Sequence, residues 1–519
     1  MNYRRDYYFK KLRENPAKIY LKDVKLASIN EFSGLVDRLQ VTVMDLRNNF
    51  LESMAGIEEF PNLVELLLYH NSISRIGYLE KATELEMLDL SCNAIRRIEG
   101  LQSLVRLQTL SIINNPIVSL EGIPHLPRLR RLLINNTSIK KIEHMHGLEN
   151  LKILDISGAT LRKIEGLSKL TRLEYLNLAG NAIGRIEGLE KCSALKSLIL
   201  KDNRIKALEG LTGLQHLERL SLENNGISRI EGLESLASLR VLNLAGNAIA
   251  RITSLECNSN LRELYLQENP IERMEGLESL EQLEVLDLSG TSISKIEGLE
   301  DKKKLDVLRL SGCKIKDLSG LEKTRALHEL TLDGNQITSM VGLADREMYI
   351  QIFSLENNEI SNIDGLENIL TEFIDLRGNN ITRIDNLNGK VVIGLDLGNN
   401  LIKKIENLEG IVEFTRLALD HNEIERIEGF NDARELEDLD LSFNQIKHIE
   451  NLEPLTQVFR LNLSGNPISV LENLEALESL NKFKMTDTGI SSILHLREMA
   501  KLVRLELSRC NITDLAGLE

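Results

Sequence analysis

The residues with the chemistry to act as ligands or nucleophiles are few and dispersed. Nine histidines and five cysteines are spread over 519 residues. They form no His-Glu-x-x-His zinc helix and no Cys-x-x-Cys pair. No glycine-rich phosphate loop, Gly-x-Ser-x-Gly elbow or kinase signature occurs. His144-Met145-His146 is the closest histidine pair, on a turn without cysteines or a carboxylate cluster, and chance placement explains it. Carboxylates recur at fixed spacing throughout, so paired acids carry no catalytic information. The chain reads as non-catalytic, with no catalytic residue, cofactor or metal expected.

What positions every side chain is a repeat. Leu176-Asn177-Leu178-Ala179-Gly180-Asn181-Ala182-Ile183-Gly184-Arg185-Ile186-Glu187-Gly188-Leu189-Glu190 shows it most plainly. An anchor asparagine or its stand-in falls every 22 residues from 49 to 335. It follows at 358, 379 and 400, after steps of 23, 21 and 21, and then every 22 residues from 422 to 510. That makes 22 repeats, the signature of a solenoid that grows by adding units rather than domains.

Each position has a physical role. The two leucines before the anchor face inward from a short strand whose alternate residues face out. Stacked strands, about 4.8 Å apart, predict one long parallel sheet with a contour on the order of 100 Å. The isoleucines two and five residues after the anchor, and the leucine eight after, fill the interior from the returning side. A repeat this short leaves no room for a crossover helix, so extended segments and 3₁₀ turns are expected there. The anchor amide is placed to satisfy backbone groups that the turn leaves unpaired. Sixteen anchors are Asn; Thr137, Thr291, Thr488, Cys313 and Cys510 can supply a polar atom, and Ala159 is expected to weaken the ladder.

Composition agrees with this plan. Hydrophobic residues reach 42% while aromatics stay at 4% and Trp is absent, so the core must be aliphatic. A net charge of −15 argues against nucleic acid as the main partner. No apolar run approaches a membrane span and no signal peptide is evident at the N-terminus. Unpaired, scattered cysteines suit a reducing compartment, which places the chain in the cytoplasm, with the nucleus also open. Cys313 and Cys510 stand nine repeats apart, roughly 40 Å, beyond disulfide reach. Residues 1–35 read as an N-terminal cap, a short amphipathic helix followed by a degenerate half-repeat, and residues 36–519 as the solenoid. No C-terminal cap follows the last motif, so a longer parent chain, a covering partner or self-association through that end is expected. Single-residue length changes fall at 344–352, 367–373 and 388–394. Neutral loop variation accounts for them; the sharper reading is a local change of twist that shapes a binding surface.

The Ile-Glu-Gly-Leu-Glu signature at 22-residue spacing, clearest at Ile98–Leu101, Ile164–Leu167, Ile186–Glu190 and Ile296–Glu300, resembles the leucine-rich repeats of protein phosphatase 1 regulatory subunits. Internalin-type adhesins are the second match. The resemblance implies a leucine-rich repeat solenoid of the α/β class, an arc with its long parallel sheet on the concave face. It also implies a protein partner bound on that face, with a phosphatase catalytic subunit the specific candidate. The chain departs from the phosphatase regulators in being about twice as long and in lacking their C-terminal cap.

Outward strand positions lie six, four and two residues before each anchor and are mostly small or polar. Asp or Asn between the leucines is read as hydrogen bonding along the sheet. Apolar exceptions mark the candidate partner-binding face: Leu67, Tyr69, Met87, Ile113 and Leu133, with His70 beside them, then Tyr175, Ile199 and Tyr265. A second, basic region comprises Arg460, Lys482, Lys484, Arg504 and Arg509, diluted by Asp487 and Glu506. The functional expectation is an interaction scaffold. The alternatives are a cell-surface adhesin and the recognition domain of a longer multidomain protein.

Overall fold

A computed structural model describes Tyr7, Leu12 and residues 17–341, 343, 348–366, 369–385, 387, 390–499, 501–513 and 516. Most of the expected N-terminal helix, residues 344–347 and the last leucines of the final motif lie outside that set. Two compact units divide the chain, Met1–Leu264 and Tyr265–Glu519. Both are parallel-strand solenoids built on the same plan.

In the first unit, strands of three residues run from Lys18–Tyr20 to Val241–Asn243, each pairing in parallel with the next. Equivalent leucines stand in register, Leu154 beside Leu176 beside Leu198. The second unit repeats this with Leu286, Leu308 and Leu330. Register also survives the irregular repeats, where Phe353, Ile374, Leu395 and Leu417 align. Their length changes are absorbed on the returning side. There Met348–Tyr349 pairs with Ile369–Leu370, and Val391 bridges to Val412. The sheet of the first unit already includes Lys18–Tyr20, and Leu21, Val24, Leu26 and Ile29 are buried behind it.

The core is aliphatic and nearly dry: Leu176, Leu178, Ile183, Ile186 and Leu189 are all at most 2% exposed. Returning segments are turns and extended chain, with a four-residue helix at Asn30–Ser33 and short 3₁₀ turns at Ile57–Glu59 and Leu494–Glu498. No helix among the described residues is long and apolar enough to cross a membrane. The five cysteines are free, and burial pushes the Cys192 thiol up to about 11, so it stays protonated and unreactive.

Every anchor follows a residue in the left-handed region, from Asn48 (φ 56°) to Arg509 (φ 55°). That sharp inward turn leaves backbone groups without ladder partners, and the anchor amide supplies them. Asn203 Nδ2 donates to the Leu200 carbonyl of its own repeat and to the Leu178 carbonyl of the preceding one, both at 3.0 Å. Its Oδ1 accepts the Ile183 N–H at 3.0 Å. The stand-ins keep only the donor half: Thr291 Oγ1 donates to the Leu288 carbonyl at 2.7 Å and the Cys313 thiol to the same oxygen at 3.3 Å.

The Ile-Glu-Gly-Leu-Glu signature is also structural. A Cβ on Gly100 would stand 2.9 Å from the Ile76 carbonyl oxygen, and the position has positive φ, which favours glycine, although Tyr78, Ser254, Asn407, Asn451 and Asn473 adopt the same conformation in other repeats. The glutamate two residues on accepts the glycine N–H, as Glu234 does from Gly232 at 3.1 Å. The glutamate before the glycine pairs with a cation of the preceding repeat, Arg75 with Glu99 at 2.7 Å and Arg273 with Glu297 at 3.1 Å, and Glu450, before Asn451 at the same position, pairs with Arg426 at 3.0 Å.

Ala159 offers no hydrogen-bonding atom to this ladder. Ala159→Asn is expected to supply an acceptor for the Ile139 N–H and donors for the Ile134 and Ile156 carbonyls, adding roughly 1–3 kcal/mol. Asn181→Ala should cost at least as much, because it strands groups that are now paired. Thermal and urea unfolding of the two variants beside the parent checks both signs; an Ala159→Asn variant no more stable than the parent would remove the amide ladder as the organising interaction.

Candidate functional site

Three outward rows line the strand face of the first unit. The row six residues before the anchors includes Glu65, Met87, Thr109, Arg131, Ile153 and Tyr175. The middle row includes Asp45, Leu67, Asp89, Ser111, Leu133, Asp155, Asn177 and Ile199. The third carries Tyr69, Ser91 and Ile113. Polar members bond along the sheet as expected: Asn177 Nδ2 donates to Asp155 Oδ2 at 3.1 Å, and the Ser91 and Ser111 hydroxyls meet at 2.7 Å.

The candidate residues are distributed over this frame rather than joined in one patch. Tyr69 and Met87 are exposed at 38% and 36%, and His70 is exposed with its ring 5.9 Å from that of Tyr69. Leu67 lies between them in the middle row but is buried, so its contribution is to the floor. Ile113 and Leu133 are half-buried, with polar Ser91 and Ser111 separating them from the Tyr69 cluster. Tyr175 and Ile199 are half-buried farther along, and Tyr175 stands beside Ile153 in its row. Tyr265 opens the second unit and is half-buried there. The Cys92 sulfur, through hydrogen bonding and charge, holds the Tyr69 phenol above its ordinary value, and burial followed by Asp155 does the same for Tyr175. Both hydroxyls are therefore protonated at neutral pH and able to donate.

The second unit carries apolar strand-face residues that the sequence reading passed over. Ile352 and Phe373 are 50% and 42% exposed in the row that holds Met87 and Tyr175 in the first unit. The signal was their position six residues before anchors 358 and 379. Beside them the strand Gly394–Asp396 is thinned by glycine, and its neighbours fold across it. A Cβ on Gly394 would stand 2.7 Å from the Phe373 ring, and Arg416 lies 5.7 Å from the centroid of that ring. Arg377 reaches over Gly398 to grip Asp420 with two bonds of 2.9 and 2.7 Å, skipping one repeat. A pocket of about 380 Å³ remains, walled by Phe373, Arg416, Asp375, Asp396, Asp438 and Asp440.

The carboxylates here divide by environment. Burial works to raise Asp420, but bonds from Arg377 and then His421 prevail and hold it below the ordinary carboxylate value. Asp396 is pushed up by burial and then by Asp375 and Asp420, and Asp375 by burial and then by Glu356 and Asp333.

The C-terminal basic region is internally neutralised. Arg460 pairs with Asp438 at 2.9 Å, Lys484 with Glu506 at 3.9 Å, Arg504 with Glu506 at 2.6 Å and Arg509 with Asp487 at 2.8 Å. Lys482 instead lies 6.0 Å from the Phe459 ring centroid. The His144 and His146 rings are 6.5 Å apart, and no group of three His, Cys, Asp or Glu among the described residues could hold a metal ion.

The raised Asp396 sets a pH dependence of defined sign. An acid whose folded pKa exceeds its unfolded value binds the extra proton when folded, so stability falls as pH rises through that window. Asp396→Asn is expected to raise the thermal midpoint at pH 7, with the gain shrinking toward pH ~3, where the carboxyl is protonated in either state. Asp420→Asn should do the reverse: its folded pKa is depressed, so the loss seen at neutral pH fades as pH falls through that lowered value. Midpoints of the two variants and the parent across this range test the assignment; parallel pH profiles would refute it.

Two leucine-rich repeat family models match the chain. One matches residues 127–183, 193–249 and 412–468, and a two-copy model matches 83–125, 171–213 and 259–301. No curated protein sequence matches. Among solved structures, a leucine-rich repeat protein of Leptospira interrogans is 21% identical with a TM-score of 0.55, covering 71% of this chain and 93% of its own. YopM from Yersinia enterocolitica is 17% identical with a TM-score of 0.57, covering 99% and 92%. A TDR receptor is 20% identical with a TM-score of 0.57, covering 96% and 97%. At these identities the likeness is one of fold.

Proposed function

From the premise that the chain is a leucine-rich repeat solenoid, we propose that it is a non-catalytic scaffold that binds a protein partner on the strand face of its first unit. The observation that carries this reading is the Tyr69–His70–Met87 cluster. Tyr69 and Met87 are more than one-third exposed on a face whose other residues are largely polar and bonded to one another. An aromatic ring contributes large contact area with few rotatable bonds, and a thioether adapts its shape to a partner, which suits both to an interface. Tyr175 and Ile199 extend the same face. Five free thiols support an intracellular setting for this activity.

The narrower form of the proposal is a phosphatase regulatory subunit. It rests on the Ile-Glu-Gly-Leu-Glu resemblance alone, and the roles of those residues in the stack account for the signature without a phosphatase. Protein partnership therefore stands on the exposed face, and partner identity on the resemblance.

The test is affinity capture from cell extract, with mass spectrometry of the bound proteins, comparing the parent with a Tyr69→Ala/Met87→Ala/Tyr175→Ala variant. A specific partner is expected to drop by about tenfold or more while circular dichroism and the unfolding midpoint stay near the parent's. Equal capture by a folded variant removes the face as the binding site. A serine/threonine phosphatase catalytic subunit in the parent's capture, lost with the variant, would support the narrower form; its absence would end it.

A further inference from the structure

On the flank of the first unit, where the chain leaves the strand face, the anchor ladder breaks at Ala159. A cleft of about 660 Å³ opens there, lined by Lys140, Lys141, Arg162 and Lys163, with Glu165 the one carboxylate in its wall. All four cations are exposed. None of them makes an ion pair with another described residue. Elsewhere on the flank some cations four residues after an anchor meet the glutamate of the next repeat, as Arg75 does with Glu99, Arg383 with Glu406 and Arg426 with Glu450; what distinguishes Ala159 is that four cations line one cleft. The other basic region, near the C-terminus, is neutralised by its own carboxylates. The cleft at Ala159 thus concentrates unspent positive charge on a chain of net charge −15.

We propose that this cleft binds a single phosphate monoester, presented as a phosphoserine or phosphothreonine side chain on a protein partner. Four cations against one carboxylate give a local charge of about +3, enough to accept a dianion with charge-assisted hydrogen bonds. Ala159, Thr160, Gly180, Asn181 and Ala182 complete the lining, so the group is received in a concavity rather than on an open plane. The overall charge selects among phosphate carriers. A nucleic acid or an anionic bilayer brings many phosphates, most of which would face the acidic remainder of the molecule and be repelled. One monoester on a peptide meets only the basic cleft. This site is separate from the strand-face cluster around Tyr69 and does not depend on it.

The experiment titrates the full chain into acetyl-Gly-phosphoSer-Gly-amide and follows the ³¹P line width, with the unphosphorylated peptide as control, observed by ¹H saturation transfer. Three proteins are compared: the parent, Lys141→Gln/Arg162→Gln in the cleft, and Lys403→Gln/Lys404→Gln, which removes the same charge from the flank of the second unit. The expected result is binding of the phosphopeptide only, weakened at least about tenfold by the cleft variant and unchanged by the distant one. No binding to the parent overturns the proposal. So does an equal loss in both variants, which would make the effect diffuse electrostatics. Tighter binding of a 12-nucleotide single strand, or of vesicles containing 30% phosphatidylserine, than of the phosphopeptide would assign the cleft to another class of partner and also overturn it.

Discussion

The interaction on which both units depend is the inward turn at the end of each strand and the amide that repairs it. A residue in the left-handed region bends the chain off the strand face so abruptly that two carbonyls and one N–H lose their ladder partners. One asparagine side chain satisfies all three, and two of its bonds go to the repeat before it. The turn is therefore not a local motif. Each anchor must lie beside the turn of its neighbour, and that requirement fixes strand spacing and register together. It also explains why the irregular repeats keep their strands aligned while their length changes appear on the returning side. There the short ladder of Met348–Tyr349 with Ile369–Leu370 takes up the difference.

Once that geometry is set, most of the repeat is committed. Leucines and isoleucines fill the interior, the glycine of Ile-Glu-Gly turns the chain at positive φ close against the preceding carbonyl, and its flanking glutamates close a turn and pair with a cation. The most recognisable sequence in the chain is thus the part with least freedom to bind anything else. A partner has access to three outward rows on the strand face and to the exposed flank positions after each anchor. The face is rigid because its backbone is paired in register, so a few exposed side chains such as Tyr69 and Met87 are presented with little conformational cost.

The period made the interior legible from the sequence: the anchor positions, the inward leucines and isoleucines and the polar ladders of Asp and Asn all follow from the spacing. Reading the face was harder. Leu67 looked exposed because its position points outward, yet its neighbours cover it. Ile352 and Phe373 occupy readable positions but fall among repeats whose irregular spacing drew attention to their loops. The left-handed turn residue is legible where it is Gly or Asn; His70, Glu268 and Phe443 adopt the same conformation without that signal. The Arg377–Asp420 clasp was beyond reach of a repeat-by-repeat reading, because it joins residues 43 apart across an intervening glycine. Charge balance was equally hidden. The C-terminal cations and those around Ala159 look alike in sequence, and only the geometry shows which of them have partners.

These cases share a cause. In a repeat this regular, neighbouring copies define what a missing side chain would have occupied, so a small residue acts as a vacancy of known shape. Gly398 creates the path for Arg377, and Gly394 lets Phe373 and Arg416 close over one side of a pocket. At Ala159 the missing amide lies beside a cleft with unpaired cations. The three substitutions differ in consequence because of what surrounds each vacancy. At Gly398 a buried carboxylate draws a neighbouring cation across, and the space closes on an internal ion pair. At Ala159 four cations face a single carboxylate, Glu165, with which none of them pairs, so the cleft is not closed by an internal ion pair. A regular solenoid gains binding sites of this second kind where a vacancy coincides with like charges, because only an external ion of opposite sign can complete the balance.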